Sequence, residues 1–344
     1  MKPKHKGTLF LLAKLAVFLL LFATIFSLVN SITFRKESYL KNDEFFAETA
    51  DGKNYDVLFF GSSHMLNAIL PMELWNDYGI ISYNLANHAE RTVSSYYNMR
   101  LATQETSPKL IVLDAFMSSF WGGIDYSPDS NGKENLHNTL DQYPPSALKA
   151  EAIKNIFGTD FNLDILIEYM FPFSMYHSRW EKLDQTDFSP YFRPTKGAEP
   201  LTSTKSVILP ASNNVLPYSN EEIPNMIYLR KFIEYAQENN IEVLVINLPY
   251  VADESLIAKS KYYQKICDDY NVNYINFLEK QNQSLINQDT DFANSGHLNT
   301  TGAQKITKYL GDYIKKHYNI PDQKQNPIYD SWYDDYEKYK GVNH

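Results

Sequence analysis

The chain has 344 residues, of which 44% are hydrophobic and 21% are charged. This composition is typical of a packed globular protein and excludes a disordered one. Acidic residues outnumber basic residues by 41 to 32, which gives a formal net charge of −9. We therefore expect no nucleic-acid partner, because phosphate contacts require Lys and Arg. The single cysteine, Cys267, excludes an internal disulfide and a cysteine-based zinc site.

The N-terminal segment predicts a membrane anchor. Lys2, Lys4 and Lys6 precede a mostly apolar run of 24 residues from Thr8 to about Ser31. As a helix this run would be roughly 36 Å long, enough to cross a hydrocarbon core of about 30 Å. The basic start predicts a cytoplasmic N-terminus, a single pass through the cell membrane and an extracytoplasmic remainder, which we assign to a bacterial surface. A cleaved signal peptide is the alternative.

Beyond the anchor, short apolar runs alternate with helical patterns, which is typical of β-α-β units around a parallel sheet. The predicted strands are Val57–Phe60, Ile80–Leu85, Leu110–Asp114, Val243–Leu248 and Asn273–Phe277. The predicted helices are Val93–Gln104, Leu148–Phe157, Pro224–Asn239, Ser255–Tyr270 and Thr301–Tyr318. Asn299 is in the right place to cap the last of these helices.

The long segment between the third and fourth strands does not continue this alternation. It is rich in aromatic residues at first and polar afterwards, and we expect it to form a lid on one edge of the sheet. For the aromatic tail at the C-terminus, packing against the domain is preferred to a sugar-stacking surface. The predicted division is a cytoplasmic start at 1–7, an anchor at 8–33, a linker at 34–54, an α/β domain at 55–320 with the insertion at about 116–222, and a tail at 321–344.

The first predicted strand leads directly into Gly61-Ser62-Ser63-His64. Small residues after a buried strand let the chain turn at the carboxyl edge of the sheet, where ligands bind in open α/β folds. A serine in this turn can also lie at the N-terminus of the next helix, where backbone N–H groups favour an anion. By itself the motif is more typical of a turn followed by a helix cap than of a functional site.

A second polar motif lies near the other end of the chain, where His297 belongs to the loop Asp291-Phe292-Ala293-Asn294-Ser295-Gly296-His297-Leu298-Asn299. A catalytic base requires such a place, in a polar loop where a neighbour can orient the imidazole. An ordinary surface histidine is the alternative.

Taken together, Gly61-Ser62-Ser63 and the late motif around His297 resemble the SGNH/GDSL hydrolase superfamily. The Ser-Ser variant is similar to the membrane-anchored branch that includes the D-alanyl transfer protein of teichoic acid pathways and the exopolysaccharide O-acetylation proteins. The resemblance implies a flavodoxin-like, three-layer α/β fold with Ser63 as nucleophile and His297 as general base. We expect no cofactor and no metal, since His64, His88 and Glu90 lack the i, i+4 spacing of a ligand set.

The sequence departs from the family pattern at two places. Asn294 stands where the family usually has the Asp that orients the histidine, and Asp291 is the possible substitute. In a protease triad, the Asp-to-Asn change lowers the rate by about 10⁴. The family's oxyanion glycine is also missing, so the oxyanion donors would be Ser63 together with Ala86 or Asn87, each donor contributing roughly 3 kcal/mol.

Four further residues are candidates for substrate binding. His64 follows the serine directly, and His88 lies in the loop after the second strand. Arg179 could hold a carboxylate or phosphate, and Trp180 could stack on a sugar. Packing inside the lid is the alternative for the last two.

These observations predict a membrane-anchored serine O-acyltransferase or esterase that acts on a cell-envelope polysaccharide or teichoic acid. A membrane-bound O-acyltransferase is the expected donor partner. The alternative is an inactive scaffold or glycan-binding protein that keeps the fold and has lost the charged member of the triad.

Overall fold

The computed structural model describes residues 4–33, 43–127, 131–188, 194–210, 215–218 and 223–342. Residues 34–42 of the predicted linker at 34–54, together with parts of the polar segment of the insertion, lie outside these ranges.

The N-terminal segment is one long helix, α1 (Lys4–Thr33). Its apolar part, Gly7–Val29, has a mean hydropathy of 2.6 and is not buried inside the protein. Among the described residues, this is the helix that is long and apolar enough to cross a membrane. The predicted apolar helix is therefore confirmed, whereas its orientation stays a prediction.

The centre of the molecule is a sheet whose strands are all parallel. The strands are β1 (Val57–Phe60), β2 (Ser82–Asn84), β3 (Leu110–Asp114), β4 (Glu242–Asn247) and β5 (Asn273–Asn276). Their spatial order is β2-β1-β3-β4-β5, which is the flavodoxin-like order. The predicted α/β fold with a parallel central sheet is confirmed.

Helices account for most of the remaining chain that the structure describes. After α1 they are α2 (Asp43–Ala50), α3 (Ser63–Ala68), α4 (Pro71–Tyr78), α5 (Thr92–Ala102), α6 (Gly132–Leu140), α7 (Ala147–Phe157), α8 (Leu163–Met170), α9 (Phe173–Tyr176), α10 (Pro224–Glu238), α11 (Glu254–Asp269), α12 (Lys280–Gln283), α13 (Thr300–His317) and α14 (Ser331–Val342).

The sheet is covered on both faces, which gives three layers. Along β1, Leu58 and Phe60 pack on the face covered by α5, α10 and α11, while Val57 and Phe59 pack on the face covered by α3, α4 and α13. This two-sided burial explains why β1 is a continuous apolar run and not an alternating one.

The insertion between β3 and β4 adds a helical layer outside α5. Helices α6, α7 and α8 enclose their own core with Leu140, Ile153 and Tyr169, and this core continues onto Val93 and Tyr97 of α5. The middle of the insertion, residues 173–188, contacts α1, and Arg179 there donates to the carbonyl of Thr33 at the end of that helix. The lid function expected for this segment stays a prediction.

A buried lysine joins three distant parts of the chain. Lys196 is fully buried, and its Nζ contacts Glu44 of α2, Glu48 of α2 at 3.1 Å and Asp335 of α14 at 2.8 Å. Burial alone would lower the pKa of Lys196, but the three carboxylates outweigh it and raise that pKa above its usual range. Trp332 also contacts this group, with its ring 4.6 Å from Nζ. The lysine therefore connects α2 to α14.

The same segment covers one edge of the sheet. The N–H of Asn84, in edge strand β2, donates to the carbonyl of Lys196 at 3.0 Å. Gly197 follows with a φ of +86°, and a Cβ there would lie 2.1 Å from the Asn84 oxygen. Glycine is required here because both the conformation and the close backbone approach exclude a side chain.

Candidate active site

The turn after β1 places Ser63 at the carboxyl edge of the sheet. Gly61 has a φ of +145°, and a Cβ there would lie 3.0 Å from the Cβ of Asp114 at the end of β3. Ser62 caps α3 by accepting from the His64 N–H at 3.4 Å, so that Ser63 becomes the first residue of the helix. Gly61 and Ser62 therefore form the turn and the helix cap, and the Ser63 hydroxyl lies at the carboxyl edge of the sheet.

A short hairpin holds His297 in place. Phe292 and Leu298 form an antiparallel bridge, and the Ala293 N–H donates to the carbonyl of His297 at 2.9 Å. Asn299 caps α13 by accepting from the Gly302 N–H at 3.1 Å, as the sequence predicts. The imidazole is therefore fixed between a bridge and a capped helix.

The structure brings the two ends of the chain together, with Ser63 Oγ 2.7 Å from His297 Nε2. On the other side of the ring, His297 Nδ1 lies 2.9 Å from Asn294 Oδ1. All three side chains are half-buried. This is the arrangement that a nucleophile, a base and an orienting group require.

The N–H of Gly296 determines which tautomer His297 adopts. It donates to Asn294 Oδ1 at 2.9 Å, so the amide oxygen, and not the NH₂, faces the imidazole. The Nδ1 of His297 must then be the protonated nitrogen, which leaves Nε2 free to accept the Ser63 proton. An asparagine thus provides the tautomer that a base requires, although it carries no charge.

Electrostatics keep His297 neutral. Burial, with a smaller contribution from His88, lowers the pKa of His297 below its usual 6.5. At neutral pH the ring is therefore in the form that can accept a proton.

Asp291 does not orient His297. Its carboxylate accepts from the Asn287 N–H at 2.8 Å and the Thr290 hydroxyl at 2.9 Å, and it pairs with Lys305 at 2.5 Å. These contacts lower the pKa of Asp291 despite burial, which by itself would raise it. Of the two residues proposed for this role from the sequence, Asn294 is the one in contact.

The N–H groups expected to form the oxyanion hole are already used. The Ala86 N–H donates to Asn84 Oδ1 at 3.2 Å, and the Asn87 N–H donates to the carbonyl of Gly61 at 3.1 Å. The expectation for Ala86 and Asn87 is therefore wrong in this conformation, because the loop folds back onto β1 and β2. The Ser63 N–H has no acceptor within the described ranges, as expected in the first turn of a helix.

His64 lies beside Ser63 and His297 in an aromatic pocket. Its ring stacks on Phe116 with centroids 3.9 Å apart, and it lies 5.0 Å from Tyr250 and 5.3 Å from His297. Burial lowers the pKa of His64 well below its usual range, and His297 lowers it further. The sequence motif did not indicate Tyr250, although its position just after β4 at the carboxyl edge could have done so.

His88 contributes a second, more open contact at this edge. Its Nε2 lies 3.0 Å from the carboxylate of Glu199, and its side chain is 43% exposed. No sequence signal indicates Glu199, because the polar segment that contains it has no periodic pattern. The structure does not bring His88, His64 and Glu90 together as metal ligands, since the Glu90 carboxylate accepts from the Asn87 side chain instead.

Arg179 and Trp180 do not belong to this arrangement. Arg179 donates to the carbonyl of Thr33, at the end of α1, at 3.3 Å and pairs with Asp187 at 2.9 Å. These contacts place the expected substrate-binding pair beside the N-terminal helix. The concentration of aromatic, basic and polar residues around Trp180 is a feature of the local sequence. It does not determine which part of the molecule this segment contacts.

A buried carboxyl group lies behind the turn. Asp114 Oδ1 accepts from the Leu248 N–H at 3.2 Å, while its Oδ2 has no hydrogen-bond partner in the described structure. Burial raises the pKa of Asp114 from 3.8 to about 7, although the N–H groups of Leu248 and Phe116 act in the opposite direction. The end of β3 therefore carries an acid that is largely protonated below neutral pH.

One carboxylate cluster in the described chain has the spacing of a metal site, namely Glu44, Glu48 and Asp335. The Nζ of Lys196 occupies its centre and supplies the positive charge. This cluster fits its lysine and leaves no place for a cation.

Comparison with known proteins gives few matches. No protein-family model matches the chain, and no curated protein sequence matches it significantly. Among solved structures, the chain is similar to a Bacteroides fragilis protein provisionally assigned as an acylhydrolase. The two share 10% identity and a TM-score of 0.40 over 82% of this chain and 99% of that chain. A similarity this low carries no argument about activity, and the fold stands on its own strand order.

Proposed function

We propose that the protein is a membrane-anchored serine acyl-transfer enzyme of the SGNH type. The observation that carries this proposal is the 2.7 Å contact between Ser63 Oγ and His297 Nε2, with the other ring nitrogen held by Asn294. A nucleophile, a base in the correct tautomer and an orienting group are the parts that acyl transfer through serine requires.

The proposed reaction has two steps. In the first, His297 Nε2 takes the Ser63 proton while Oγ attacks the acyl carbonyl, and the same proton passes to the leaving alcohol. In the second, His297 takes a proton from the acceptor hydroxyl or from water while that oxygen attacks the acyl-serine, and His297 then gives the proton to Ser63 Oγ as the serine leaves. Transfer and hydrolysis therefore use the same intermediate and differ in whether water is excluded.

The finer assignment rests on α1 and on the resemblance of the motifs. A catalytic domain tethered outside a membrane suits a polymer of the cell envelope, such as a polysaccharide or teichoic acid. We propose O-acyl transfer to that polymer, with the acyl group supplied by a membrane-bound O-acyltransferase. Hydrolysis of acyl esters on the same polymer is the closest alternative.

The test is active-site labelling of the full-length protein in membranes with a fluorophosphonate probe. We expect labelling of the wild type and of Ser206→Ala, an exposed serine that bonds Asp289, and none of Ser63→Ala. Labelled wild type that turns over p-nitrophenyl acetate only when a glycan acceptor is added, releasing p-nitrophenolate and forming acetylated glycan without free acetate, would identify a transferase. Equal labelling of Ser63→Ala and the wild type would contradict the proposal.

A specific observation favours a second candidate, a non-catalytic scaffold. The N–H groups of Ala86 and Asn87 are bonded to Asn84 Oδ1 and to the carbonyl of Gly61, so the site lacks two of its expected oxyanion donors. A scaffold would show no labelling in the wild type, and Asn294→Asp, which restores the charge of a triad, would be equally silent on a folded protein.

A further inference from the structure

The middle of the insertion, from Leu163 to Phe188, exposes an unusual number of large apolar side chains. Leu163, Ile167, Phe171 and Met175 are spaced four residues apart and are exposed by 67%, 49%, 53% and 37%. Trp180 and Phe188 follow, each exposed by 65%. We call these six residues the apolar stripe.

Exposed large apolar residues are more concentrated in the apolar stripe than on the rest of the described surface after α1. The described chain after α1 has fourteen exposed large hydrophobic residues, and six of them fall within the 26 residues from Leu163 to Phe188. Single exposed apolar residues are normal on a soluble surface, whereas a contiguous group indicates an interaction surface.

The position of the stripe relative to α1 indicates what covers it. Phe173, at the start of α9, has its ring 5.1 Å from the ring of Phe26 in α1. Phe26 and Ser27 also line the same cavity as Phe171. The stripe therefore lies beside the C-terminal end of the helix that is apolar enough to cross a membrane.

The depth of this contact fits the boundary between lipid chains and headgroups. Phe26 precedes the end of the apolar span at Val29 by three residues, which is about 4.5 Å along a helix axis. Helices that lie in a membrane interface bury their apolar face by roughly 5–10 Å. An exposed tryptophan such as Trp180 is typical of this layer.

We propose that the apolar stripe inserts into the outer interfacial layer of the same membrane that α1 crosses. The insertion then lies on the bilayer, so that both α1 and the apolar stripe attach the protein to the membrane. The inference rests on α1 crossing a membrane, as in the proposed function. It does not depend on catalysis.

Apolar contact, and not charge, supplies the attraction. The segment from Leu163 to Phe188 contains five acidic and two basic residues, so anionic headgroups would repel it. We therefore expect the contact to form on vesicles of phosphatidylcholine and to be insensitive to high salt.

The test uses spin labels on the full-length protein in phosphatidylcholine vesicles. The native Cys267 is buried, so labels go to introduced cysteines at Leu163→Cys, Ile167→Cys and Phe171→Cys. Ile208→Cys and Leu216→Cys are matched controls, since both residues are more than 80% exposed and lie outside the stripe. We expect stripe labels to collide several-fold more with lipid-soluble oxygen than with a water-soluble nickel complex, and controls to show the reverse.

A label at Leu20→Cys, inside the apolar span, separates the two possible failures. Stripe labels that behave like Ile208→Cys while Leu20→Cys reports lipid would overturn the stripe proposal and leave the anchor intact. A Leu20→Cys label that reports water would overturn the anchor itself. Stripe labels protected from both oxygen and nickel would mean that a protein covers the stripe, which would also overturn lipid contact.

Discussion

Two clusters of polar side chains draw on distant parts of the chain, and they differ in how they treat charge. At the carboxyl edge of the sheet, Ser63, Asn294 and His297 form a half-buried chain of hydrogen bonds between uncharged groups. Beside strand β2, Lys196 is fully buried among Glu44, Glu48 and Asp335. The first cluster has an open side, whereas the second is closed around its cation.

The difference separates groups that can react from groups that hold the fold. Removing one partner of a buried ion pair strongly destabilises the fold, because the other charge is left buried and unpaired. A half-buried neutral base can accept a proton and return it with little rearrangement. Charge should therefore dominate stability at Lys196, and proton transfer should dominate activity at His297.

Removing the base should have the largest effect on activity. In His297→Ala, we expect ester turnover to fall by about 10⁴, or roughly 5 kcal/mol in activation free energy, because Ser63 loses its proton acceptor. The thermal midpoint should change little. His317→Ala, at the exposed end of α13, is the control and should keep full activity. An active His297→Ala protein would assign the base to another residue.

Removing the buried cation should have the largest effect on stability. In Lys196→Met, three carboxylates lose their counter-charge, and we expect unfolding to become easier by about 3–5 kcal/mol. The measurement is thermal unfolding in detergent. Lys308→Met, which removes an exposed pair with Asp312, should change stability by less than about 0.5 kcal/mol. Equal midpoints for the two variants would contradict the closed-cluster interpretation.

Asp114 tests whether the carboxyl edge of the sheet also contains a group whose charged form is disfavoured by burial. Its pKa is raised from 3.8 to about 7, so the folded state keeps a proton that the unfolded state loses. Its contribution is complete below pH 4 and is lost as pH rises to 7, by about 4 kcal/mol. Asp114→Asn should therefore gain stability relative to the wild type across this window in denaturant titrations. A difference between Asp114→Asn and the wild type that stays constant across this window would disprove the shift.

Asn294→Asp should have the smallest effect and sharpen the comparison most. The tautomer of His297 is already correct because Gly296 holds the amide oxygen, so only the charge is added. We expect kcat/KM to rise about tenfold, far less than the 10⁴ associated with a wrong tautomer. The carboxylate should also move the acid limb of the pH–rate profile upward from its wild-type position below 6.5. An unchanged acid limb would show that residue 294 does not contact the ring during turnover.

The sheet could be predicted from the sequence because apolar runs of the right length determine it. The strand Val57–Phe60 matches the prediction to the residue, whereas β2 is three residues shorter than predicted. The flanking Ile81 and Leu85 still bond to β1, since the Val57 N–H donates to the Ile81 carbonyl at 3.1 Å and the Leu85 N–H donates to the Phe59 carbonyl at 2.9 Å. The structure also contains helices that were not predicted, namely α2, α3, α4, α6, α8, α9, α12 and α14. Local patterns therefore located most of the long elements, but they missed the 12-residue α14 together with the shorter helices.

The candidate site could be predicted only in part. The contact of Ser63 with His297 follows from two motifs at one sheet edge. The bonds that occupy the Ala86 and Asn87 N–H groups depend on how a loop folds back, which spacing does not determine. Lys196 was missed for a similar reason, since its partners lie about 140 to 150 residues away in the chain.

The backbone contact beside β2 has a consequence for how the protein behaves at high concentration. An edge strand with free N–H and C=O groups can pair with the edge of another molecule and start aggregation. Here the Asn84 N–H is already bonded to Lys196, and Gly197 brings a second backbone against the strand. The β2 edge is thus shielded from intermolecular pairing by a segment that the buried lysine keeps in place.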